Sequence, residues 1–163
     1  ECIGLKALPN DLSMLTKLRM LDLSGCISLT GASAFAPLSG PGALTPEFSE
    51  QIESSDFDSF GLAALEVLDL SNCTGLETLP KMSHSQSMRV LWLSGCKNLR
   101  CAKNLTSLKG LQVLNLSYCN GLEVLPDMRE LKKLQEIDLR GCAKLKGVAD
   151  LKQQLPKCKI IES

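Results

Sequence analysis

Aromatic residues are scarce in this 163-residue chain, with four Phe, one Tyr and one Trp making up 4% of it. Burial therefore falls to leucine. Histidine occurs once, as His84 in the serine-rich stretch "KMSHSQS", which leaves little for a histidine-based metal centre or a nucleophile–base pair. No run approaches the roughly 20 apolar residues of a membrane-spanning helix. Neither a signal-peptide pattern nor a lipidation motif is present, and no phosphate-cradling glycine motif occurs. Positive charge is missing from a long stretch, with no Lys or Arg between Arg19 and Lys81. The 18 basic and 18 acidic side chains cancel overall, yet residues 1–80 carry three bases against eleven acids, net −8, and residues 81–163 carry fifteen against seven, net +8. The chain opens in mid-phrase at Glu1-Cys2 and reads as a piece of a longer protein.

What the chain has in quantity is a repeated phrase. The pattern L-x-x-L-x-L-x-x-C-x-x-L fits Leu18-Leu21-Leu23-Cys26-Leu29, Leu65-Leu68-Leu70-Cys73-Leu76 and Leu111-Leu114-Leu116-Cys119-Leu122. With one conservative exchange each it also fits Met88-Leu91-Leu93-Cys96-Leu99 and Leu134-Ile137-Leu139-Cys142-Leu145. Cys73, Cys96, Cys119 and Cys142 are 23 residues apart, while Cys26 precedes Cys73 by 47, room for one degenerate copy with Leu44, Ser49 and Ile52 in its slots. The L-x-L core has period two and predicts a short strand with one buried face. Turn-prone S-G, S-N, N-G and T-G pairs follow it. A unit this small cannot bury its leucines alone, so the units must stack, one parallel strand per repeat.

The remaining segments are read from the same frame. "LP" at Leu8-Pro9, Leu79-Pro80 and Leu125-Pro126 opens the variable half of a repeat, and "PDMRELKKLQ" predicts a helical turn or two with Pro126 near its start. Residues 30–61, rich in Pro and Gly and carrying Glu47, Glu50, Glu53, Asp56 and Asp58 without a cation, read as a degenerate repeat or an acidic loop. "LKQQLPKCKIIES" reads as a polar C-terminal cap with Leu155, Cys158 and Ile161 in repeat slots.

Eight cysteines invite chemistry, but the spacing supports packing instead. A disulfide framework belongs to small secreted chains with poor cores, and this core is not poor. Zinc needs close Cys pairs with further ligands, whereas the closest pair here is Cys96 and Cys101. Each repeat cysteine falls at the start of the turn and points inward, giving a stacked ladder of thiols able to bond backbone carbonyls. Thiols stacked about 5 Å apart would mispair in an oxidising compartment, which points to an intracellular, reducing setting such as the cytoplasm. No metal, no cofactor and no catalytic residue is expected.

The phrases "LDLSGC", "LDLSNC" and "CTGLETLP" resemble the leucine-rich repeat family, cysteine-ladder 23-residue type, and in particular the repeats of plant intracellular immune receptors of the nucleotide-binding, TIR-containing type. Similar phrases occur in F-box substrate receptors and in protozoan leucine-rich proteins. The resemblance implies an α/β solenoid: a right-handed superhelix with a parallel β-sheet on the concave face and short helical or extended segments on the convex face. It also implies a single domain over residues 1–163, about six repeats plus the cap. The implied function is non-catalytic, a protein–protein interaction module forming the recognition or scaffold part of a larger protein such as an immune receptor. The partner would be a protein on the concave face, with no small-molecule substrate and no membrane. Candidate contact residues are those of the outward strand slots and the following turn: Asp22, Asp69, Asn72, Trp92, Asn115, Tyr118, Asp138 and Arg140. Trp92 and Tyr118 stand out as the chain's one Trp and one Tyr, because exposed aromatics anchor many interfaces. Two alternatives stay open. One is substrate recognition in a ubiquitin-ligase adaptor. The other is nucleic-acid contact through the basic half, where Lys97, Arg100, Lys103, Lys109 and Lys144 lie but no aromatic stacking set accompanies them.

Overall fold

The computed structural model describes residues 2–8, 12, 14–30 and 62–162. Within them six three-residue strands form one sheet in chain order, every neighbouring pair parallel: β1 Met20–Asp22, β2 Val67–Asp69, β3 Val90–Trp92, β4 Val113–Asn115, β5 Glu136–Asp138 and β6 Lys159–Ile161. The chain is a leucine-rich repeat solenoid, with this open sheet lining its concave face.

The register follows the repeat. Leu21, Leu68, Leu91, Leu114, Ile137 and Ile160 stand side by side, and all but the end residues Leu21 and Ile160 are inaccessible to solvent. Flanking them, Leu65, Met88 and Leu111 and then Leu70, Leu93 and Leu116 are equally buried. Each rung thus contributes the same apolar side chains to one continuous core, at roughly 2 kcal/mol for every fully buried leucine. The ladder is extended past each strand, for example by Leu93 N donating to Asn115 O (2.8 Å) and Gly95 N to Ser117 O (2.8 Å).

The cysteine ladder forms as the spacing predicts. Cys73 Sγ donates to Leu23 O (3.2 Å), Cys96 to Leu70 O (3.1 Å), Cys119 to Leu93 O (3.1 Å) and Cys142 to Leu116 O (3.0 Å). Those same carbonyls accept the amide of their own repeat's cysteine, as Leu70 O does from Cys73 N (3.1 Å). Every turn is therefore tied to the next rung through one shared acceptor. All described cysteines are free thiols. The glycine of "CNGLEVLP" has its reason in the same stacking: a Cβ on Gly121 would lie 2.7 Å from Lys97 O and 3.0 Å from Leu99 O of the preceding rung.

Three expectations need correction. β1 pairs directly with β2, Met20 opposite Val67, so no strand of a degenerate copy stands between them in the sheet. Residues 31–61 themselves, including Leu44, Ser49 and Ile52, lie outside the described residues. Second, residues 126–135 form successive turns rather than a helix. Met128, Leu131 and Leu134 are buried at every third position, and Leu131 N bonds Met128 O (2.9 Å) while Leu134 N bonds Leu131 O (3.0 Å). That period matches tight three-residue turns, not the 3.6 of an α-helix. Asp127 closes an Asx turn onto Arg129 N (3.0 Å) instead of opening a helix. Helical structure appears elsewhere on the convex side, as a 3₁₀ helix at Lys103–Ser107 and as α1, Val148–Gln154, in the cap. Third, the cap supplies a sixth strand in which Ile160, not Ile161, takes the inward slot opposite Ile137.

Candidate functional site

The strand register sorts the outward residues into columns that run along the solenoid. Asp22, Asp69, Trp92, Asn115 and Asp138 are consecutive members of one column. Met20, Val67, Val90, Val113 and Glu136 form the column beside it. Ser24, Ser71, Ser94, Ser117 and Arg140 follow two residues after the first column, at the start of each turn. The sequence reading placed Val90 and Val113 beside Trp92, and the register extends them into a full column. The same period-two alternation makes the slot before the first core leucine outward as well.

The acidic members of the first column have an internal task. Asp22 Oδ1 accepts from Ser24 N (2.8 Å), Asp69 Oδ1 from Ser71 N (2.8 Å), Asn115 Oδ1 from Ser117 N (2.9 Å) and Asp138 Oδ1 from Arg140 N (3.0 Å). Each closes an Asx turn at the strand's end, the local bonding that short Asp and Asn side chains do best. Bonds from the Ser24 hydroxyl and amide hold the Asp22 carboxyl below the usual carboxylate range. Asp138, nearly buried at 6% exposure, is held below it chiefly by Arg140, whose guanidinium contacts both carboxylate oxygens at 2.7–3.1 Å. Asp138 and Arg140 are thus spent on each other.

Asn72 and Tyr118 share a different position. It is the left-handed turn residue, occupied by Gly25 (φ 70°), Gly95 (φ 74°) and Gly141 (φ 70°) in the other repeats, by Asn72 at φ 59° and by Tyr118 at φ 60°. Asn tolerates this conformation, but a bulky aromatic rarely adopts it. The Tyr118 ring lies over Gly141, where a Cβ would meet Cδ1 at 2.5 Å, and the side chain still leaves the residue 56% exposed.

Trp92 breaks the rule of its own column. It is the one member without a side-chain oxygen, so Ser94 N has no Asx acceptor, and the residue is partly buried on the face it shares with Val67, Val90 and Val113. The Ser94 hydroxyl pairs instead with that of Ser117 (2.8 Å), which is buried.

The basic half yields no coherent phosphate track among the described residues. Lys97, Arg100 and Lys144 border a surface depression with Asn98, Asn120 and Glu123. Glu77, Arg100, Glu123 and Lys146 recur at 23-residue spacing along this flank, so acids alternate with bases. The ladder thiols are buried, and burial pushes Cys73 up to about 11 and Cys119 to about 12, with Cys96 also raised, so they persist as neutral thiols. Among the described residues no group of three or more His, Cys, Asp or Glu is placed to hold a metal ion, and no helix is long and apolar enough to cross a membrane.

Two relatives bear on these observations. Over 100 residues, 61% of this chain, the sequence is 39% identical to the protein SUPPRESSOR OF npr1-1, CONSTITUTIVE 1 of Arabidopsis thaliana. The fold is similar to the leucine-rich repeat domain of the type III effector XopL, with a TM-score of 0.55 and 26% identity over 96% of this chain. The chain spans 7% of the length of the first and 57% of the second. No family model matches it.

Proposed function

Because the chain is a leucine-rich repeat solenoid whose repeats are similar to those of a plant protein, we propose that it is a non-catalytic interaction module. In this reading it recognises a protein partner on its concave face, as the recognition part of a larger protein of the plant intracellular immune-receptor type. The observation that carries the reading is the pair Trp92 and Tyr118. In adjacent repeats, each sits where the fold is better served by another residue, an Asx at 92 and a Gly or Asn at 118. Tyr118 is 56% exposed and Trp92 is partly so. Residues that break a local rule without structural gain mark functional positions, and aromatic anchors concentrate binding energy. Asp22, Asp69, Asn72, Asn115, Asp138 and Arg140 form the polar surround, with Asp138 and Arg140 fixing its geometry. The unpaired, stacked thiols fit a reducing compartment.

The test is affinity capture with three forms of the chain: wild type, a Trp92→Asn/Tyr118→Asn double variant, and a convex-side control, Val124→Asn. Proteins recovered by wild type and control but lost by the double variant support the concave site. Equal recovery by all three removes it.

A further inference from the structure

We propose that the N-terminal part of the concave column binds a basic side chain of the partner, an Arg or Lys set among aliphatic neighbours. This rests on the concave-face reading and names the chemistry of what that face takes. The register brings Asp22, Asp69 and Trp92 together on three consecutive strands, about 4.8 Å from one to the next. In both aspartates Oδ1 accepts the backbone amide two residues on, and the Asp22 carboxyl also takes the Ser24 hydroxyl; every one of these partners is uncharged. Among the described residues neither carboxylate has an ion pair. Two like charges directly across neighbouring strands destabilise a sheet, so the pair is a standing demand for a cation.

The contrast within the column is informative. At Asp138 the chain provides its own cation, Arg140, two residues on. At the equivalent positions after Asp22 and Asp69 it has Ser24 and Ser71, which neutralise nothing. On the far side of the valine column Arg19 and Arg89 are both directed at Glu66, at 3.7 and 4.0 Å. Among the described residues no Lys or Arg pairs with either carboxylate, and on this proposal the partner supplies that charge. Trp92, next in the column, offers its ring to the same cation, the best aromatic partner for an ammonium or guanidinium. Val67 and Val90 beside it give the aliphatic stem and its neighbours an apolar floor.

The experiment uses the folded chain as bait for a random dodecapeptide display library. Binding of the selected peptides is followed through the emission of Trp92, the only tryptophan and thus a reporter within the site. The charge-removing variant is Asp22→Asn/Asp69→Asn. Asn115 shows that asparagine keeps the turn bond of this slot, so the variant preserves the fold. Selected peptides are expected to share an Arg or Lys flanked by aliphatic residues and to shift Trp92 emission. Binding should weaken at least tenfold both in the double variant and when the peptide's Arg is replaced by neutral citrulline. Peptides that shift Trp92 emission but show no basic enrichment, or that bind the double variant unchanged, overturn the proposed chemistry and leave the concave site standing. If no selected peptide shifts Trp92 emission, or none is enriched above an unrelated bait, both readings fall together.

Discussion

At the scale of single residues, the cysteines and the two lone aromatics are opposites. A ladder cysteine is dictated by its surroundings: a small apolar side chain with one weak donor, buried beside a carbonyl of the preceding rung. Its chemistry should be silent. Native iodoacetamide treatment at pH 8 is expected to modify exposed Cys2 first, with Cys73, Cys96 and Cys119 labelled only after denaturation, read by peptide mass mapping. Trp92 and Tyr118 occupy slots that the other repeats fill with Asp or Asn and with Gly or Asn. Tyr118→Asn should leave stability unchanged or raise it by up to about 1 kcal/mol, since it relieves a left-handed strain of roughly 1–2 kcal/mol at an exposed position. Trp92→Asn should likewise restore an Asx turn worth about 1 kcal/mol, offsetting the lost ring contacts. Urea midpoints of the two variants check both; a loss of several kcal/mol in either would make that ring a structural element. The singularity of these residues was visible in the sequence. The positive φ at 118 was not, although Gly25, Gly95 and Gly141 in the same repeat slot were its signal.

At the scale of elements, the repeat is a strand, a tight turn and a return whose path varies. The strand and turn were legible because stacking repeats the same constraint at every rung. Leu114 has a buried aliphatic neighbour on either side, Leu91 and Ile137, so its slot cannot drift. Gly121 belongs to this constrained half. Gly121→Ala is expected to cost about 1–3 kcal/mol, because the added methyl meets backbone carbonyls that cannot move without shifting a rung. Chemical denaturation measures it, and a cost near zero would mean that adjacent rungs separate easily. The returning segments were read less well. "PDMRELKKLQ" has helix-forming residues, but the apolar positions recur every three, and burial of Met128, Leu131 and Leu134 prevails over propensity.

At the scale of the whole molecule, stability is the sum of nearest-neighbour stacking, and the thiol ladder couples that sum to pH. In an unfolded chain these thiols ionise near 9, whereas burial holds Cys73 and Cys119 protonated up to about 11 and 12. Their folded-state values are raised, so their contribution is complete below pH 9 and is lost as pH climbs towards 11 to 12. The urea midpoint should therefore fall steadily from pH 8.5 to 10.5. In Cys119→Ala it should start lower and fall less steeply, with one ionising group removed. A parallel decline in both forms would place the pH dependence elsewhere.

The sequence by itself determined the repeat, the parallel stacking, the inward leucines and the buried thiols, because each is a local demand restated every 23 residues. It also singled out Trp92 and Tyr118 as the chain's one Trp and one Tyr. The tertiary structure alone decided what the intervals between repeats do: that β1 meets β2 directly although their cysteines lie 47 positions apart, and that Ile160 closes the sheet. It alone showed, too, that Asp138 pairs with Arg140, while among the described residues neither Asp22 nor Asp69 has an ion pair. Those outcomes depend on which strand ends up beside which, and pairing between distant segments is set by the energy of the assembled stack rather than by any one repeat.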